Sequence, residues 1–127
     1  MPCLGRAFFD AVDVFNTTFA KANPPAPTLN NFAPYYDPNI TMHTPHLGIQ
    51  RPRGQVLSNL AASAPLYFDP SVSKLQIDEN AGIVKGNTMY TDTDQGQTKT
   101  FGITFEIHYR RDPTAPGGWI VREAFSR

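Results

Sequence analysis

Three features of the sequence predict an α+β fold. Apolar residues recur at helical spacing through the first half, alternation governs the second half, and turn residues separate the alternating runs. From Leu4 to Ala22 the apolar positions are Leu4, Phe8, Val12, Phe15, Phe19 and Ala22, with Arg6, Asp10, Asp13 and Lys21 largely opposite. This spacing predicts an amphipathic helix with one buried stripe, which Phe9 and Val14 widen. Asn23-Pro24-Pro25-Ala26-Pro27 ends it, because proline cannot continue the hydrogen-bond ladder. Thr28 reads as the cap of a short second helix carrying Leu29, Phe32 and Tyr35 or Tyr36. Asp37-Pro38-Asn39 reads as a turn, Ile40 to Thr44 as a short strand closed by Pro45, and His46 to Arg53 as a loop broken by Gly48 and Pro52. A third helix is predicted from about Arg53 to Ala64, where Val56, Leu57, Leu60, Ala61 and Ala64 form a narrow face of small and aliphatic residues.

After Asp69-Pro70 the period falls to two. Leu75 and Ile77 alternate with Lys74, Gln76 and Asp78, and Asn80-Ala81-Gly82 supplies a hairpin turn. Ile83 to Asp92 returns, and a polar loop over 93–97 follows. The clearest alternation sets Phe101, Ile103, Phe105, Ile107 and Tyr109 against Thr100, Gly102, Thr104, Glu106, His108 and Arg110. Arg111 to Gly118 is a connecting turn, and Trp119 to Phe125 is the last strand. Strands joined in this order predict an antiparallel meander with one buried face, which the helices of the first half must cover. The expected architecture is a curved antiparallel sheet with the three helices on one side.

The chain has 127 residues, the size of one domain, so 1–127 is read as a single unit. Lys and Arg total 11, as do Asp and Glu, leaving a formal net charge of zero. That balance argues against a nucleic-acid binder, which carries a basic footprint, and against a polybasic membrane-surface module. No apolar run approaches the ~20 residues of a membrane span, and the start lacks the pattern of a signal peptide. A cytoplasmic protein is expected. The single cysteine, Cys3, has no partner for an internal disulfide, and no zinc spacing is present. No phosphate loop, dinucleotide fingerprint or Ser-His-Asp order stands out, so no cofactor is expected.

The element order, and above all Asn31-Phe32-Ala33-Pro34-Tyr35-Tyr36-Asp37-Pro38-Asn39-Ile40-Thr41-Met42-His43-Thr44-Pro45, resembles the nuclear transport factor 2-like superfamily. Within it, the likeness is to the SnoaL-like polyketide cyclase and ketosteroid isomerase group. These proteins show an aromatic, an acidic turn and a strand that ends in a carboxylate before proline. A glycine and a helix follow, here Gly48 or Gly54 and Val56 to Ala64. The resemblance covers nearly the whole chain. It implies a cone closed by helices, also described as cystatin-like, with an apolar pocket inside and a convex sheet face that often pairs with a second copy. A small apolar ligand and a homodimer are therefore the expected partners. In ketosteroid isomerases the carboxylate before the proline is the general base, and the matching residue here is Thr44. An alcohol is a poor base at neutral pH.

Other residues must then carry any proton transfer. His43 and His46 form an HxxH pair around Pro45, and a neutral imidazole there could take a proton; the alternative turns His43 outward with the strand and leaves His46 a solvated loop residue, and a metal site would need a third ligand. Glu123 shares the face of Trp119, Val121 and Phe125 if the last strand is regular, where desolvation would raise its pKa toward that of an acid-base catalyst. A bulge would turn it outward. Asp78 reads as solvent-facing, and Glu106 with His108 as a polar pair on the sheet surface. Tyr35, Thr44 and Tyr90 are candidate ligand hydrogen-bonders, and Phe101, Phe105 and Trp119 candidate pocket walls. Two functions stay open: an apolar-ligand pocket with cofactor-free cyclase or isomerase chemistry, and a non-catalytic binding or homodimerisation module.

Overall fold

The computed structural model describes residues 3–45, 47–70, 74–94 and 97–127. Its helices are α1 (Leu4–Thr18), α2 (Ala26–Leu29) and α3 (Arg53–Ser63). Its strands are β1 (Tyr36–Thr44), β2 (Gly48–Gln50), β3 (Tyr67–Asp69), β4 (Gln76–Asp78), β5 (Ile83–Asp94), β6 (Gln97–Arg111) and β7 (Trp119–Ser126).

Leu4 and Phe8 of the predicted stripe are buried, with Ala7 and Ala11 beside them, whereas Phe9 and Ala22 are exposed. The helix stops at Thr18, short of Ala22, because the Phe19 carbonyl accepts the Leu66 amide proton at 2.7 Å and the chain leaves the helical ladder. Phe8 is the hub of the core, 1% exposed, stacked on Phe105 at 5.9 Å between centroids and edge-on to Phe68 at 6.4 Å. Phe15, Phe19 and Phe32 form a second triangle of rings with centroids 4.9–5.8 Å apart. The Asn16 amide fastens α1 to β3, with Nδ2 donating to the Phe68 carbonyl at 2.9 Å and Oδ1 accepting the Phe68 N–H at 2.8 Å. Arg53, at the start of α3, donates through Nη1 to the carbonyls of Ala33 and Tyr36, which ties that helix to the entry of β1.

The strands form one sheet in the order β2-β1-β7-β6-β5-β3, with β4 also paired to β5. The sheet is not wholly antiparallel, as the meander reading expected: β1 and β7 run parallel at its centre. Their connection spans most of the chain, which gives the crossover a parallel pair needs. The turn expected at Asp37-Pro38-Asn39 lies inside β1 as an irregularity, where the register with β7 shifts between Tyr36 and Thr41. The short strand β2 stands where a loop was expected, and β3 lies in a stretch to which the sequence assigned no element.

A second irregularity decides which residues face inward. Along β6 and β7, His108 pairs with Glu123 but Tyr109 pairs with Val121, so Arg122 is an extra residue on β7. Such a bulge reverses the alternation beyond it. Val121 and Ala124 face the helices with Tyr109 and Ile107, while Glu123 lies with His108 on the opposite face.

Candidate functional site

Between α1, α3 and the concave side of the sheet lies a cavity of about 660 Å³. The α1 wall is Phe8, Ala11, Val12 and Phe15, which are the inward residues of its stripe. Ile103, Phe105, Ile107 and Tyr109 supply the sheet wall from β6, and Val121 and Ala124 extend it on β7. Leu60 closes it from α3 and Phe68 from β3. Leu47 and Phe101 line the same space but are 56% and 38% exposed, which marks where it meets solvent. The cavity is mainly apolar, as sites for small organic ligands are.

Ser63, Ser126 and Arg127 line it too, but most of its polar groups fall into two sets. Tyr35, Tyr36, Tyr90 and Tyr109 all line the cavity. Burial pushes the Tyr36 and Tyr109 hydroxyls well above the ordinary tyrosine range, and for Tyr36 the neighbouring Tyr90 and Tyr109 add to it. Burial followed by the charge of Asp10 raises Tyr35 in the same direction. These hydroxyls therefore stay protonated at neutral pH.

The second set is a relay of uncharged side chains. Gln55 Nε2 donates to Asn59 Oδ1 at 2.9 Å, and Asn59 Nδ2 donates to Gln50 Oε1 at 2.8 Å. Gln50 Nε2 then donates to Thr44 Oγ1 at 2.9 Å, which also accepts the Leu47 N–H at 3.3 Å. Thr44, Gln50 and Asn59 line the cavity, and Gln50 is only 6% exposed. Sequence reasoning placed Thr44 here but missed Gln50 and Asn59. The available signal was Asn59 itself, an amide between Val56 and Leu60 on the apolar side of α3.

Tyr35, Thr44, Tyr90, Phe101 and Phe105 all lie on the cavity wall. Trp119 does not. It is buried against the turn at Gly82, beside the Arg111 guanidinium, which sits 4.5 Å from the ring centroid. Its cross-strand partner is Arg111, two residues beyond Tyr109, the last cavity-lining residue of β6.

The inward placement of Glu123 is overturned by the Arg122 bulge. His43 and Glu123 meet instead on the outer face, His43 Nε2 lying 3.0 Å from Glu123 Oε2 and the His43 ring stacked on Phe125 at 4.4 Å. His108 packs near the same Phe125 ring at 5.5 Å and bonds Glu106 at 2.6 Å. That bond holds the Glu106 carboxyl below its usual range. Asp78 is exposed and caps the Gly82 turn by accepting the Ala81 N–H. His46 lies outside the described residues. Among the described residues no cluster of three or more His, Cys, Asp or Glu could hold a metal ion, and no helix is long and apolar enough to cross a membrane.

No protein-family model matches this sequence, and no curated protein does. Solved structures do match its fold. A nuclear transport factor 2-like superfamily protein from Salmonella enterica serovar Typhimurium shares a TM-score of 0.71 at 13% identity over 98% of this chain and 89% of that one. The BvnE pinacolase from Penicillium brevicompactum matches with a TM-score of 0.68 at 8% identity, over 97% and 83%. The CaMKII hub of S. rosetta matches with a TM-score of 0.67 at 14% identity, over 96% and 94%. The chain has the nuclear transport factor 2-like fold, and neighbours described as cystatin-like share it. An enzyme and a hub stand among these neighbours, so the fold alone selects neither role.

Proposed function

We propose that this protein binds a small apolar molecule inside the cone and performs no acid-base chemistry on it. The observation that carries this reading is the character of the cavity wall. It is lined mainly by aromatic and aliphatic side chains; the charged side chain among the described lining residues is Arg127, whose guanidinium is no base at neutral pH, and no Asp, Glu, His or Lys stands beside it. The Tyr35, Tyr36 and Tyr109 hydroxyls that reach it are shifted upward, so they stay protonated and serve as hydrogen-bonding groups and not as bases. His43 and Glu123, which the sequence offered as alternative proton carriers, pair with each other on the other side of the sheet. SnoaL-like proton-transfer chemistry would need a base from elsewhere.

The test is titration with N-phenyl-1-naphthylamine, an uncharged apolar fluorophore. Saturable binding of one molecule per chain is expected. Ile103→Trp, which fills the cavity from β6, is expected to weaken it at least tenfold, while Thr104→Trp on the outer face leaves it unchanged. No saturable binding, or binding indifferent to Ile103→Trp, would overturn the reading.

Homodimerisation is a second reading, supported by the outer face of the sheet. Both long helices lie on the cavity side, and the opposite face carries exposed Ile49, Lys85, Met89, Thr104 and Arg110 on five-stranded breadth from β2 to β5. Sedimentation equilibrium is expected to give a dimer that Glu106→Arg weakens. A monomer at all concentrations would sink that reading and leave the cavity reading intact.

A further inference from the structure

We infer that Thr44 presents a hydrogen-bond donor to the cavity, so that the ligand is an uncharged apolar molecule carrying an acceptor oxygen, a carbonyl or an ether. The inference rests on the binding reading above and specifies its ligand. A threonine hydroxyl has one proton to give and two lone pairs to receive. At Thr44 both lone pairs are engaged, one by the Gln50 side-chain amide and one by the Leu47 backbone N–H. Among the described residues the hydroxyl proton has no acceptor, which leaves it for the space that Thr44 lines.

The direction of the relay is what commits Thr44 to this role. Gln50 turns Nε2 toward Thr44 because its Oε1 receives Asn59 Nδ2, and Asn59 turns that nitrogen inward because its Oδ1 receives Gln55 Nε2. Gln55 is exposed and so anchors the relay in solvent, where its remaining groups are satisfied by water. Each amide hands a proton on toward the cavity, and Thr44 is the last member. A group that can only donate rejects a second donor and leaves a polar atom unpaired against a pure hydrocarbon, so it discriminates by function as well as size. The relay carries no charge. It therefore offers a carboxylate or an amine no counter-charge at this point, and the charged side chain among the described lining residues, Arg127, is not a member of it.

The experiment uses probes of matched shape: 1-tetralone, 1-tetralol and tetralin, with benzophenone and diphenylmethane as a second ketone and hydrocarbon pair. Affinity is read by displacement of N-phenyl-1-naphthylamine from wild type, Thr44→Val and Thr44→Ser. The ketones are expected to bind about tenfold tighter than their hydrocarbons, the worth of one net hydrogen bond in a partly enclosed site. Thr44→Val is expected to erase that preference while keeping the hydrocarbon affinity, which shows the cavity still formed, and Thr44→Ser to retain it. If Thr44→Val does not fold, Gln50→Met serves instead, since it frees a lone pair on Thr44 and lowers the ketone preference. Equal binding of ketone and hydrocarbon by wild type, or a ketone preference that survives Thr44→Val, overturns the inference and leaves the cavity reading standing. Tighter binding of the alcohol than the ketone also overturns it, because the relay would then run the other way. Failure of every probe, including the fluorophore, removes the cavity reading itself.

Discussion

At the scale of single residues, two positions show how backbone and charge fix the frame around the cavity. Gly82 has φ +71°, and a Cβ there would lie 2.7 Å from the Tyr109 carbonyl oxygen. The Gly82 carbonyl in turn accepts the Tyr109 N–H at 2.7 Å, so the two backbones are held against each other where the cavity floor begins. Gly82→Ala combines a disfavoured dihedral with a backbone clash and is expected to cost about 1–3 kcal/mol in urea denaturation. Asp37 accepts the Asn39 N–H and the Arg110 Nε–H, both at 2.8 Å, and these bonds, the backbone one foremost, hold its carboxyl below the usual range. A carboxyl lowered on folding contributes stability above its unfolded pKa, near 3.9, and loses it as pH falls through the folded value. Asp37→Asn is therefore expected to destabilise at pH 7 and to differ little from wild type at pH 3. Urea midpoints at the two pH values check this; an undiminished gap at pH 3 would contradict it.

At the scale of elements, short polar fastenings do what apolar patterning does not. Asn16 bonds both backbone groups of Phe68 across the gap between α1 and β3. Asn16→Ala leaves a partly buried N–H and C=O without their partner and is expected to cost about 1–3 kcal/mol. Because Phe68 also lines the cavity, the fluorophore affinity is expected to fall with the stability, and equal affinity would show that β3 is held by its strand pairing alone. This balance of pattern and fastening explains what could be read in advance. Alternation on β6 placed Phe105, Ile107 and Tyr109 inward correctly, since a regular strand has period two, and the helical spacing of Phe8 and Phe15 did the same for α1. On β7 the identical argument failed for Glu123, because Arg122 adds one residue that no apolar pattern announces. Trp119 was read as cavity wall from its face alone, yet position along the strand sets it past the cavity's end. The Thr44 relay was invisible for a different reason: its members sit on β1, β2 and α3, and only tertiary folding brings their amides together.

At the scale of the whole molecule, β7 is the element on which the cavity depends. It lies between β1 and β6, so the sheet that backs the cavity closes only when this strand pairs with both. The cavity is thus a property of the completed fold and not of any subset of its elements, and an occupant that requires it must stabilise the fold as a unit. Linkage sets the size of that effect: a ligand at a hundred times its dissociation constant adds about 2.7 kcal/mol if it binds only the folded chain. With an unfolding entropy of about 2.1 cal/mol/K per residue, that corresponds to a rise in Tm of about 10 °C for a chain of this length. Differential scanning fluorimetry with 1-tetralone at such an excess is expected to show this shift in wild type and to lose most of it in Ile103→Trp, whose cavity is filled. Thr44→Val is expected to show a smaller shift at the same ketone concentration, because the affinity and not the cavity has changed. A shift of equal size in all three proteins would mean that the ketone acts at some other surface, and that the hollow of the cone is not where it binds.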